Sequence, residues 1–181
     1  MKPTPVHIAL VNPEHAAEVL EFFKMNTANS PYILRTVRDP FPTVEEERKI
    51  LTGFTEQPNS NMWIARQEGN IVGMLGCHGS QRYKLRHEPT VGISVHPDLR
   101  GHGIGKQLLA AAMNWFAASP HLLRIQCEVL TVNTASLRLF ERAGFLREGL
   151  RRHATYQPDG ELLDAVVLAV VKETPQRIDG I

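Results

Sequence analysis

Cysteine is scarce in this chain: 181 residues include only Cys77 and Cys127. Each lies inside an apolar run that reads as a strand, so two buried free thiols in a reducing cytoplasm are expected rather than a disulfide. Neither Cys-x-x-Cys nor His-x-x-x-His spacing occurs, which argues against a structural metal. Charge of one sign is not in excess either. Lys and Arg number 20 against 19 Asp and Glu, so the net charge of +1 gives no general pull toward nucleic acid or an anionic membrane. Long hydrophobic runs are missing: the longest, Ala165 to Val171, is far too short to span a bilayer and fits a buried strand. Met1 to His7 lacks the apolar stretch of a signal peptide. What remains is an ordinary cytoplasmic globule, 43% apolar and 22% charged, expected to be one domain over 1–181 with its core from about 6 to 171.

Val6 to Val11 reads as a short strand. Asn12 offers an N-cap and Pro13 a first helical position, opening a helix with Ala16, Val19, Leu20 and Phe23 on one face. Asn29-Ser30-Pro31 breaks it, and Tyr32 to Pro42 reads as a loop. Thr43 and Glu46 form a capping box for a second helix, with Ile50, Leu51 and Phe54 facing inward. Met62 to Gln67 and Ile71 to His78 are strands around Glu68-Gly69-Asn70, a hairpin. Ser80 to Pro89, with Arg82, Lys84, Arg86 and His87, is a solvated loop or a rim that orients substrate or touches phosphate. Thr90 to Val95 is the next strand. From Ile104, the residues Leu108, Ala111, Ala112, Trp115 and Phe116 make a wide apolar stripe at helical spacing, ended by Ser119-Pro120. Leu122 to Leu130 follows as a strand, so the segments near Val95 and Cys127 belong to a βαβ unit and should run parallel. A short helix from about Thr134 to Ala143 ends at Gly144. Phe145 to Thr155 and Leu162 to Val171 are strands joined through Pro158-Asp159-Gly160. The polar tail after Lys172 is expected to fray.

The chemistry concentrates where Val95 leads into Arg100-Gly101-His102-Gly103-Ile104-Gly105-Lys106. Glycines after a strand and at the start of an amphipathic helix let successive N–H groups converge on one anion. Arg100 and Lys106 add cations, and the helix dipole adds partial positive charge. A dinucleotide fold fits poorly, because no acidic residue ends a following strand. A Walker loop is excluded by the lack of Gly-Lys-Ser/Thr.

The stretch Thr90 to Gly149 resembles the GNAT acetyltransferase superfamily, whose signature Arg/Gln-x-x-Gly-x-Gly/Ala is matched by Arg100, Gly103 and Gly105. The run from Asn133 to Gly144-Phe145 is similar to the family's second block, and the order of elements agrees over roughly Val6 to Val171. The resemblance implies an α/β (α+β) fold: a mixed, mostly antiparallel sheet of about six or seven strands, helices on both faces, and a splayed parallel pair near Val95 and Glu128. It implies acetyl-CoA as co-substrate and no metal. Pantetheine would lie in the splay against the backbone of Ile93, Ser94 and Val95, and the pyrophosphate on Arg100, Gly101, His102, Gly103, Ile104, Gly105 and Lys106. Asn133 would reach the pantetheine arm or cap its own helix, and Ser136, Phe140 and Arg142 would line the cofactor.

Amine attack on a thioester needs a base. Strand alternation puts Glu128 on the face opposite Cys127 and Val129. A carboxylate in a mostly apolar strand would be desolvated there. Glu128 also resembles the glutamate of the branch that acetylates protein N-termini, through the shared Glu-Val-x-x-x-Asn spacing; a structural Glu is the alternative. Glu88 and His87 are second candidates. Phe140 stands where many family members carry a tyrosine acid. Thiolate is nonetheless a tolerable leaving group, with a thiol pKa of roughly 8.5. Tyr156 is a candidate proton donor or pocket wall, and a backbone N–H near Val95 a candidate oxyanion donor. The stretch Gly149 to Asp164 resembles the branch with ribosomal-protein and small-molecule N-acetyltransferases. Neither cysteine begins a helix, which favours direct transfer to a primary amine of a small molecule or of a protein or peptide. The competing readings are a non-catalytic acetyl-CoA sensor and a nucleotide-binding protein using the same turn. A homodimer is compatible with the apolar strand Leu162 to Val171.

Overall fold

The structure is a computed structural model that describes residues 5–173. Apart from Glu173, the tail read after Lys172 lies outside them, as do residues 1–4. One seven-stranded sheet runs in the order β1-β2-β3-β4-β5-β7-β6. Its strands are β1 (His7–Leu10), β2 (Asn61–Gln67), β3 (Asn70–His78), β4 (Thr90–Val95), β5 (Arg124–Leu130), β6 (Leu146–Tyr156) and β7 (Leu162–Val171). Neighbours are antiparallel except β4 and β5. The helices are α1 (Ala16–Ala28), α2 (Val44–Glu56), α3 (Ile104–Ala118) and α4 (Thr134–Arg142).

Local signals set most boundaries. Asn12 accepts from the Glu14 N–H at 2.9 Å ahead of Pro13, and Thr43 and Glu46 cap each other's backbone at α2. The β2–β3 turn takes positive φ at Glu68 and Gly69, as a two-residue hairpin requires. Gly144, at φ 93°, ends α4.

Two apolar layers sandwich the sheet. On one face α1 and α2 pack Val19, Phe22 and Leu51 on Met62, Ile64 and Ile71. On the other, α3 and α4 pack Leu108, Ala112, Phe116 and Phe140 on Leu75, Cys127 and Leu168. Two inward positions differ from expectation. Phe22 rather than Phe23 is buried in α1, while Phe23 meets Phe41 edge-on at 6.1 Å and helps pin the α1–α2 loop. Ile50 is exposed, and Leu51 alone fills the α2 contact completely. Leu162 to Val171 is an inner strand between β5 and β6, so sheet burial accounts for its apolar run without a dimer. Among the described residues no helix is long and apolar enough to cross a membrane.

Candidate active site

The parallel pair opens the site. β4 and β5 register only at Thr90↔Gln126, and backbone bonds from Leu123 to His87 (3.0 Å) and from Gln126 to Pro89 (3.1 Å) hold that end closed. Beyond it the strands part, leaving a cleft of about 1360 Å³ lined by β4, β5 and the start of α3. Glu88 belongs to the closed end: its carboxylate lies 3.6 Å from Arg124, which also grips Glu148. Glu88 and His87 therefore stand outside the cleft lining.

The turn after β4 is shaped for an anion. Gly101 and Gly103 take φ 82° and 81°, a region costly for other residues. Gly103 is the N-cap of α3 and no side chain caps that helix, so its first N–H groups face the cleft mouth. A Cβ on Gly101 or Gly103 would meet nothing within 4 Å, whereas one on Gly105 would press Leu139 at 3.3 Å. Close packing against α4 thus explains the third glycine, and open approach from the cleft the first two. Ile104 is buried in the core and offers only its backbone. The ring of His102 turns back to the Arg100 carbonyl at 3.0 Å and does not line the cleft.

Ile93, Ser94, Val95, Arg100, Gly101, Gly103, Gly105, Lys106, Asn133, Ser136, Phe140 and Arg142 all line it. Asn133 Oδ1 accepts from the Ser136 N–H at 3.2 Å, capping α4 while the residue faces the cleft. Phe140 is buried edge-on against Phe145 at 5.0 Å, an apolar wall with no proton to give. Arg138 also lines the cleft, one turn before Arg142. It is not among the residues expected to line the cofactor, although its four-residue spacing from Arg142 puts both on one helix face.

Glu128 lines the cleft on the sheet face opposite the buried Cys127 and Val129. The expected desolvation is absent. Its side chain is 47% exposed, and Oε2 accepts from Arg151 Nη1 at 2.6 Å across β7. Tyr156 stands apart from the cleft. It is 75% exposed at the β6–β7 hairpin tip, pairs with Leu162, and does not reach the cleft. Tyr32, Ile33 and Leu34 of the α1–α2 loop form part of the wall. No helical or strand period marks that loop in the sequence.

Burial pushes the Cys127 thiol up to about 12, assisted by the Glu128 charge, and pushes Cys77 up further. Neither is poised as a nucleophile. Among the described residues no group of three or more His, Cys, Asp or Glu could hold a metal.

A sheet split between parallel strands, with a glycine-lined helix start and four cations at its mouth, defines a protein that holds an extended, phosphorylated ligand. Residues 28–145 match the model of the Acetyltransferase (GNAT) family, and the chain belongs to that family of acyltransferases. It is 31% identical over 114 residues to the N-alpha-acetyltransferase RimI of Mycobacterium tuberculosis, covering 63% of this chain and 66% of that one. An acetyltransferase of the GNAT family from Streptococcus pneumoniae superposes with a TM-score of 0.89 at 26% identity, over 92% of this chain and 99% of that one. The yncA structure of Salmonella typhimurium with its cofactor acetyl-CoA gives 0.84 at 16% identity, over 97% and 99%. The chain spans about a third to two thirds of the length of the first curated relatives it matches.

Proposed function

We propose that this protein is an acetyl-CoA-dependent N-acetyltransferase, moving the acetyl group directly to a primary amine of a small molecule or peptide. The observation that carries this reading is the parting of β4 and β5 directly above the Gly101–Lys106 turn. The residues present fit the co-substrate. N–H groups at the α3 start, with Arg100, Lys106, Arg138 and Arg142, suit its phosphates, and the edge of β4 that β5 leaves unpaired beyond Thr90 suits an extended arm at Ile93–Val95, where the Val95 carbonyl accepts from Arg100 Nε at 3.3 Å. Acetyl-CoA supplies an activated acyl group as a thioester.

The chain's own residues then bind, orient and move a proton. Glu128 takes the proton from the acceptor ammonium, and Arg151 holds its carboxylate in place. A backbone N–H near Val95 faces the oxygen that gains charge as the amine adds. The carbon–nitrogen bond forms, the nitrogen gives its second proton to solvent, the carbon–sulfur bond breaks, and sulfur leaves as a thiolate that picks up a proton from solvent. With Tyr156 outside the cleft and Phe140 apolar, no side-chain acid is assigned to that last step. The buried thiols support direct transfer.

Thiol release from acetyl-CoA, measured with a panel of amines, tests the reading. Acceptor-dependent release is expected, and Glu128→Gln should lower it roughly a hundredfold or more. A non-catalytic sensor, the reading favoured by the missing acid at Phe140, would bind coenzyme A and release no thiol with any acceptor.

A further inference from the structure

The acceptor side of the cleft is built by an irregularity in β6. Residues 152–154 stand opposite the single Asp164, between the pairs Arg151↔Ala165 and Thr155↔Leu163. His153 takes φ 51°, and its N–H donates to Asp164 Oδ1 at 2.8 Å, which locks the bulge. Bulges re-aim neighbouring side chains. Ala165 and Leu163 lie two residues apart on β7, so Arg151 and Thr155 share one sheet face. Glu128, paired with Val167, is on that same face, and all three line the cleft.

Arg151 and Glu128 are 58% and 47% exposed and joined by one hydrogen bond, so both retain hydrogen-bonding capacity toward the cleft. A positive and a negative receptor one hydrogen bond apart match a ligand whose own opposite charges are equally close. On the wall lie Tyr32, Ile33 and Leu34, with Leu34 among the most exposed apolar side chains of the molecule.

We propose that the acceptor is a free α-amino acid with an apolar side chain. Its carboxylate is held by Arg151, its ammonium by Glu128, and its side chain by Tyr32 and Leu34. This rests on the transferase reading above and sharpens it. In an α-amino acid the ammonium and carboxylate share one carbon, whereas a protein N-terminus carries a neutral amide there and gives Arg151 no charge to bind. Guanidinium–carboxylate bonds are charge-assisted and directional, so the recognition is specific to the acid.

The test compares leucine and phenylalanine with their methyl esters, with the amines lacking the carboxylate, and with peptides that begin with the same residues. The expected result is a kcat/KM for the free acid roughly ten- to a hundredfold above that of the ester, as one charge-assisted bond allows. In Arg151→Gln that ratio should collapse toward one. In Arg151→Lys, which keeps the charge and loses the planar fork, it should fall between. A thermal melt of each variant checks that it is folded. Equal turnover of acid and ester, a ratio untouched by Arg151→Gln, or a preference for peptides overturns this inference while leaving acetyl transfer standing. Coenzyme A binding without turnover of any acceptor overturns the transferase reading, and this one with it.

Discussion

Replacing Gly103 with alanine separates backbone strain from ligand binding in a way few other substitutions here can. Gly103 sits at φ 81° and ψ 2°, and a Cβ added there meets nothing within 4 Å. The folded protein therefore bears only the left-handed conformational penalty, about 1–2 kcal/mol. For a domain of this size that is a fall in Tm of roughly 2–8 °C. The open space around that Cβ is also the approach to the uncapped N–H groups of α3. A methyl group there keeps phosphate oxygens away, and loss of one charge-assisted bond is worth roughly 1.5–3 kcal/mol, or ten- to a hundredfold in Kd for coenzyme A. Gly69 is the control. It has φ 83°, equally open surroundings, and a place in the β2–β3 turn outside the cleft. Gly69→Ala should lose similar stability and no affinity. Calorimetric titration with coenzyme A and thermal melts of both variants decide the matter. If Gly103→Ala binds as tightly as the unchanged protein, or Gly69→Ala weakens binding as much, the anion cradle is misassigned.

Other expectations concern the frame. Glu47 is 7% exposed in α2, and burial raises its carboxyl above the ordinary 4.5, against a smaller opposing pull from Arg35. A raised carboxyl binds a proton more tightly when folded, so its charge opposes folding at neutral pH and the penalty fades as pH falls toward 4.5. Glu47→Gln should raise Tm at pH 7 and converge with the unchanged protein under mild acid; a constant difference across pH refutes the assignment. Lys172 Nζ donates to the carbonyls of Phe116 (2.6 Å) and Ser119 (2.7 Å) and sits 4.6 Å over the Phe116 ring, closing the end of α3. Lys172→Met should reduce stability by about 1–3 kcal/mol in urea titration, and an unchanged midpoint would count against the cap. Cys77 and Cys127, both buried with raised pKa, should resist iodoacetamide in the native protein and react on unfolding. Modification of the native protein, read by mass, would contradict their burial.

Much of the frame was legible because its signals are local. The Thr43–Glu46 box, Glu68-Gly69 and Gly144 each act over a few residues and are used as expected, whereas Asn12-Pro13 opens a short 3-10 turn over Pro13–His15 and α1 itself begins at Ala16. The order of strands around Thr90 to Leu130 implied the parallel pair. What the sequence hid depends on residues far apart in the chain. Apolar neighbours in β5 imply a desolvated Glu128, but its side chain is half-exposed and pairs with Arg151, 23 residues later and two strands away. Tyr156 is a candidate through the resemblance, in a strand-and-turn region that usually flanks the acceptor site in that family. The bulge at 152–154 presents Arg151 and Thr155 to the cleft instead, and strand periodicity contains no sign of it.

The apolar run Ala165 to Val171 shows why such distant pairings matter for the site. Val166 and Leu168 enter the core beneath α3 and α4, as a buried strand should. Ala165, Val167 and Ala169 face the other way, where α1 and α2 do not contribute to the apolar cluster. Across them run two ion pairs from β5 to β6: Arg124 to Glu148 near Ala169, and Glu128 to Arg151 near Val167 and Ala165. Charged side chains reaching over a strand need small or short residues beneath them, as at the buried Ala165 and Ala169, and Ala165 also packs with Leu130, Leu163 and Ala154 in a small apolar cluster. The run is thus apolar on both faces for two different reasons. The pair beside Glu88 braces the closed end of the parting strands, while the pair farther along includes Glu128, the one carboxylate among the described residues that lines the cleft. A bulky residue at 165 would therefore disturb the Glu128–Arg151 geometry without touching the cradle at 100–106. Acceptor KM should rise in Ala165→Leu while coenzyme A affinity holds; a loss of coenzyme affinity instead would mean that the two halves of the cleft are not independently built.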